Sequence, residues 1–219
     1  MKKRAWGPVV VSLVLAVALS FACGACGASE LWNLDYLALK KLTHSGTTTL
    51  GASLDEAAAV TDNGDGTVRF ASAGHGFSVG DKIYISGTTA YDGYYPVSAV
   101  PSNQAFDVTA THVAINTESS DTAKVVIDPG EDFRLVSLRM TCDVVPATSE
   151  NLVVSLDAAS GVSYDQEVYS VDLSAAASTT KTWGTDGPLF FSSGDKLIFT
   201  WPNSDGRRYG LEVRYGVKR

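Results

Sequence analysis

Nine residues near the C-terminus, Tyr209 to Val217, alternate without a break. Tyr209, Leu211, Val213, Tyr215 and Val217 fall on one side; Gly210, Glu212, Arg214 and Gly216 fall on the other. A period of two marks a strand with one dry face and one wet face. The pattern recurs in Phe133–Val144, where Val136, Leu138, Met140, Cys142 and Val144 alternate with Ser137, Arg139, Thr141 and Asp143. It returns in Leu152–Asp157 and in Leu197, Phe199 and Trp201. Such strands bury their apolar face only against a second layer. Residues 128–219 are therefore expected to form an antiparallel β-sandwich, jelly-roll or immunoglobulin-like.

Upstream the strands are shorter. Asp62-Asn63-Gly64-Asp65-Gly66 is a dense turn signal, because Gly and Asn accept positive φ and Asp bonds its own backbone. Thr67–Phe70, Lys82–Ser86, Tyr94–Val100, Ala105–Val108 and Ala123–Ile127 follow as alternating or β-rich runs. Residues 60–127 are expected to close into a small antiparallel β-barrel. Asp128-Pro129-Gly130 marks the boundary between the two modules, since Pro withholds a ladder donor and Gly permits a reversal. The whole chain reads as all-β. One phrase occurs twice: Gly80-Asp81-Lys82-Ile83 and Gly194-Asp195-Lys196-Leu197. It reads as one turn chemistry used twice to launch a strand.

The N-terminus differs. Lys2, Lys3 and Arg4 precede an apolar run, Val9–Ala22, and then the small-residue stretch Ala22–Ala28. These are the three parts of a secretory signal. The run has 14 residues, short of the ~20 that span a bilayer. Residues 1–28 are expected to be a signal peptide or an apolar anchor helix. Cleavage after Ala28 competes with lipidation at Cys23 or Cys26. Residues 29–59 are read as a short helix over Ser29–Thr43, with Leu31, Leu34, Leu37 and Ala38 at helical spacing, followed by a linker.

Three of the 17 bases and none of the 24 acids lie in the first 28 residues, so the remainder carries a net charge of −10. That balance opposes nucleic-acid binding and docking on anionic lipid. Any membrane contact is expected only through the N-terminal segment.

Little in the chain points to a reaction. His44, His75 and His112 stand in no zinc-ligand spacing, and read as solvent-facing or turn residues, His75 with an exposed side chain. The Asp62–Gly66 run lacks the Glu and flanking helices of a calcium loop, so it reads as a hairpin turn. Cys23-x-x-Cys26 lacks a thioredoxin context. Cys142 reads as a buried free thiol. No catalytic residue, metal site or cofactor is expected. The aromatics are the better candidates for binding. Tyr91, Tyr94 and Tyr95 surround one turn, and Trp183 lies in a Thr- and Gly-rich loop. Exposed aromatics near loops stack on sugars or anchor protein partners, while the same residues in a core only pack.

The block Gly74–Val108 resembles a small β-module of bacteriophage and prophage structural proteins. His75, Gly76, Gly80, Asp81, Ile83, Ile85, Gly87, Tyr91, Asp92, Gly93, Tyr95 and Val97 carry the likeness. A similar signature is named after a non-catalytic β-barrel insertion of ubiquitin-activating enzymes. The second half looks more loosely like a phage-associated β-sandwich, through Leu152–Asp157, Gly187–Leu189, Gly194–Leu197 and Tyr209–Glu212. The resemblance implies a virion or appendage component that decorates or adheres. Together these readings give an exported, non-enzymatic structural or adhesive protein of the cell surface, periplasm or exterior. Its expected partner is a protein or glycan surface, or a second copy of the chain. Two alternatives stand beside it: a carbohydrate-binding module using Tyr91, Tyr95 and Trp183, and a phage tail or capsid decoration protein with an uncleaved N-terminus.

Overall fold

A computed structural model describes residues 37–46, 50–175 and 178–218. The expected signal segment, with Cys23 and Cys26, lies outside them. The described chain is all-β, and its strands pair antiparallel.

Four long strands form one sheet: β1 (Leu37–Gly46), β9 (Phe133–Cys142), β12 (Thr180–Phe191) and β14 (Tyr209–Lys218), in the order β1-β14-β9-β12. The second sheet is built first from β3 (Thr61–Asp62), β4 (Thr67–Ala71), β5 (Lys82–Ser86), β6 (Gly93–Ser102) and β7 (Ala105–Thr109). It continues with β8 (Thr122–Ile127), β10 (Asn151–Asp157), β11 (Gln166–Asp172) and β13 (Lys196–Thr200). In space these run β11-β10-β13-β8-β5-β6-β7-β4-β3. The two-residue β2 (Ala52–Ser53) lies beside β8. The inward faces of both sheets contribute to a single buried cluster, from Phe70, Ile83 and Phe106 to Phe133, Leu211 and Val217.

Asp128-Pro129-Gly130 is a bend, with Gly130 at φ 73°. There the chain passes from the long sheet to the four-stranded one. The long sheet is nevertheless continuous across this point, because Phe199 and Leu197 of β13 pair with Val125 and Ile127 of β8. The described residues group as one compact unit.

Three expectations are corrected. The helix over Ser29–Thr43 is not formed in its described part. Leu37–Gly46 is instead a strand, paired with β14 from Leu37↔Lys218 to Gly46↔Tyr209. Ten residues of ladder outweigh the weak propensity of a short isolated helix. The Thr- and Gly-rich segment around Trp183 is strand β12, bulged between Gly184 and Leu189. In β9 the alternation slips. Arg214 pairs with Ser137 and Tyr215 with Leu135, which leaves Val136 as the extra residue of a β-bulge. Phe133 and Leu135 therefore face the core in place of Val136, while Leu138, Met140 and Cys142 keep their expected side.

The repeated phrase has one geometry in both places. Gly80 and Gly194 take φ 90° and 91°. The Asp81 carboxylate accepts the Ser78 N–H at 2.7 Å, and that of Asp195 accepts the Ser192 N–H at 2.8 Å. The two turns launch β5 and β13, which flank β8 on its two sides.

Candidate functional site

The four aromatics singled out by sequence do not come together. Tyr91 is 1 % exposed, edge-on to Phe70 at 5.2 Å, with its hydroxyl donating to the Val113 carbonyl at 2.9 Å. It is a core residue and offers no open face. Tyr95 sits opposite Ile83 and packs half-buried against the core. Trp183 is also half-buried; it lies opposite Leu138 on β9 and 5.9 Å from the Tyr169 ring of β11. The cleft beside it holds only about 20 Å3.

Tyr94 faces the other way, onto the outer side of the long sheet. Its hydroxyl donates to Asp157 at the end of β10. Tyr84 lies 4.7 Å from its ring, and Lys196 Nζ is 4.7 Å from the ring centroid. Burial first, and the Asp157 carboxylate second, push the Tyr94 phenol well above its ordinary range. Strands β13, β8 and β5 separate β6 from β10 in the sheet. At about 4.8 Å per strand a flat sheet would hold Tyr94 and Asp157 about 19 Å apart, far beyond one tyrosine's reach. The sheet must curl, and its outer face is concave here. Tyr94 is thus an internal tie across the curl, with its hydroxyl and ring already engaged.

The histidines also depart from expectation. His75 is 1 % exposed. Its Nε2 lies 3.1 Å from the Ser102 carbonyl and 3.2 Å from that of Ala105, while the Phe77 N–H donates to Nδ1 at 3.0 Å. A neutral ring protonated at Nε2 satisfies all three contacts. The imidazole is therefore drawn inward as a bracket for its own loop. His44 is equally buried, between Phe77 and Tyr209. Its Nε2 is 3.3 Å from the Tyr209 hydroxyl, and its Nδ1 has no hydrogen-bond partner among the described residues. Burial lowers its pKa from 6.5 to about 4. His112 is half-buried beside the Val60 carbonyl, 3.0 Å away. Cys142 is a buried free thiol, and burial pushes its pKa up.

The feature that sequence reading missed is a fork in the long sheet. β8 pairs with β13 as far as Val125↔Phe199. Beyond it β13 stays with β10, at Thr200↔Val153. The vacated edge of β8 is taken by β2, at Ala123↔Ala52 and Thr122↔Ser53. Lys124 is the β8 residue between the two partners. Leu50 N–H donates to the Trp201 carbonyl at 2.8 Å and ties β2 to the end of β13. Gly51, at φ 89°, makes the insertion fit. A Cβ there would stand 2.6 Å from the Ala123 carbonyl oxygen, so only glycine admits the close approach.

The fork encloses a groove of about 580 Å3, within the range of small-ligand sites. The buried Leu50, Ala52 and Trp201 form its deep part. Ser53, Thr122, Thr200 and Asn151 supply hydroxyl and amide groups, and Lys124 is the one cation of its described lining. A second groove, of about 340 Å3, is lined largely by glycine backbone with Arg208 and Asn103.

In the sequence Lys124 is only one member of the β-rich run Ala123–Ile127. Its place depends on a strand of two residues, for which the only local signal is a glycine between Leu50 and Ala52. Among the described residues no cluster of His, Cys, Asp and Glu is suited to a metal ion. Comparison with family models, with curated proteins and with solved structures finds no match.

Proposed function

We propose that the chain is a non-enzymatic structural or adhesive surface protein that meets its partner through the fork groove. The observation that carries this reading is the groove itself. It sits between strands fixed by backbone hydrogen bonds, and its described lining pairs a cation with hydroxyl and amide groups. That arrangement suits binding by preorganised contacts. Polar groups of the kinds that do chemistry elsewhere are used here to hold the fold. His75 brackets its loop, and the carboxylates of Asp81, Asp195 and Asp205 accept backbone N–H groups. Export rests on the bases and apolar run of residues 1–28.

The finer architecture belongs to the same reading. The curl that brings Tyr94 to Asp157 favours a barrel-like closure of the shorter strands. The core common to both sheets favours a sandwich in the second half. The likeness to phage structural modules is consistent with a role in decoration or attachment.

The test is to fractionate cells making the full chain and to determine its N-terminus by mass spectrometry. A chain beginning at Ser29, or at a lipidated Cys23 or Cys26, in the exported fraction is the expected result. An intact Met1 confined to the cytoplasm would overturn the exported reading.

A further inference from the structure

Three places could hold a ligand: the concave face around Tyr94, the glycine-lined groove at Arg208, and the fork. The first is filled by its own contacts. The second presents mainly backbone. The fork has unmet polar capacity. Lys124 is half-buried and forms no hydrogen bond or ion pair among the described residues. This is notable in a chain with 24 acids and only 17 bases, where a free lysine has many potential partners. No carboxylate belongs to the described lining of the groove. Trp201 also lines it, with its ring packed into the core against Tyr209.

We propose that the fork groove binds a carboxylate-bearing saccharide, with the ammonium of Lys124 pairing the sugar's carboxylate. The charge follows from Lys124: a cation with no acid beside it selects an anion. The saccharide follows from the rest of the lining. Ser53, Thr122, Thr200 and Asn151 are short hydrogen-bonding groups suited to sugar hydroxyls, and Val153 and Pro202 present apolar surface to C–H faces. The volume admits more than one sugar ring. The ligand's source, an acidic glycan outside the cell, rests on the reading of the chain as an exported surface protein.

The experiment is calorimetric titration of the full chain with digalacturonate, cellobiouronate and sialyllactose, each beside its methyl ester. Sodium acetate serves as the minimal carboxylate. At least one acidic saccharide should bind, with its ester at least tenfold weaker. Lys124→Gln should lose at least tenfold in affinity at an unchanged melting temperature, and Lys124→Arg should retain most of it. Binding of acid and ester with equal affinity would overturn the proposal, as would no binding by any of the three. Acetate binding as tightly as the saccharides would overturn the saccharide part and leave a simple carboxylate site. An exported chain that binds none sinks this proposal alone. A cytoplasmic chain that binds sinks only the exported reading.

Discussion

The two buried histidines play different parts although their rings lie in the same corner of the core. His75 spends both ring nitrogens on backbone and holds its loop as a neutral bracket. His44 is enclosed with one nitrogen unpaired among the described residues, and burial lowers its pKa to about 4. Its folded pKa lies below the unfolded value of 6.5, so the unfolded chain takes up the proton first. Stability is therefore full above about pH 6.5 and falls as pH drops toward 4, by about 1.4 kcal/mol per pH unit for one group. Asp172 and Asp205 titrate well below this window. Hydrogen bonds, chiefly from Ser149 and Thr148 respectively, hold each at about 2, so their contribution is lost only as pH falls from 3.8 through that value. Urea denaturation at pH 7 and pH 5 should show the wild type losing about 2 kcal/mol more than His44→Phe. An equal loss in the two proteins would show that the folded pKa of His44 is not lowered from its unfolded value. Neither histidine announced its burial in the sequence. Gly74 and Gly76 on either side of His75 read as an exposed turn, and the carbonyls that draw the ring inward lie 27 and 30 residues away.

Among the elements, those with strict alternation and a turn signal at each end were readable, and β4, β5, β7, β8, β10, β13 and β14 stand close to where the pattern put them. The strands that escaped reading are those defined by their neighbours. β1 carries two adjacent lysines and a helical leucine spacing, and becomes a strand because β14 offers ten residues of ladder. β12 contains turn-forming residues that its bulge absorbs. The fork is hidden for the same reason, since two residues of β2 have no pattern of their own. Packing on the inward faces is where the energy is concentrated. Phe106 of β7 is fully buried, stacked on Phe70 at 5.6 Å and edge-on to Phe77 at 5.1 Å. Phe106→Ala should cost about 3–5 kcal/mol, read as a lowered urea midpoint with an unchanged slope. Tyr164→Ala, at a position 64 % exposed on the turn before β11, should change stability by less than about 0.5 kcal/mol. A small effect at Phe106 would mean that the aromatic cluster is not a packed core.

For the described molecule as a whole, the bend at Asp128–Gly130 changes sheets without separating them. β8 needs β13 on one side, and both sheets close over one buried cluster. Unfolding should therefore be a single cooperative event. Far-UV circular dichroism, which follows the ladders, and tryptophan fluorescence, to which the half-buried Trp183 and the buried Trp201 contribute, should give one coincident urea midpoint. Two separated midpoints would mean that the stretches before and after residue 128 unfold independently. The pairing of β1 with β14 has a topological consequence of its own. Leu37 and Lys218 face each other across one ladder, so their backbones are about 5 Å apart. A short covalent bridge between them would close residues 37–218 into a ring with almost no slack at the join. The ring could then be reopened at the exposed turn of Gly64 and Gly66, where a Cβ added to either glycine would meet nothing within 4 Å. The order of strands along the chain would be rotated while every neighbour in space was kept.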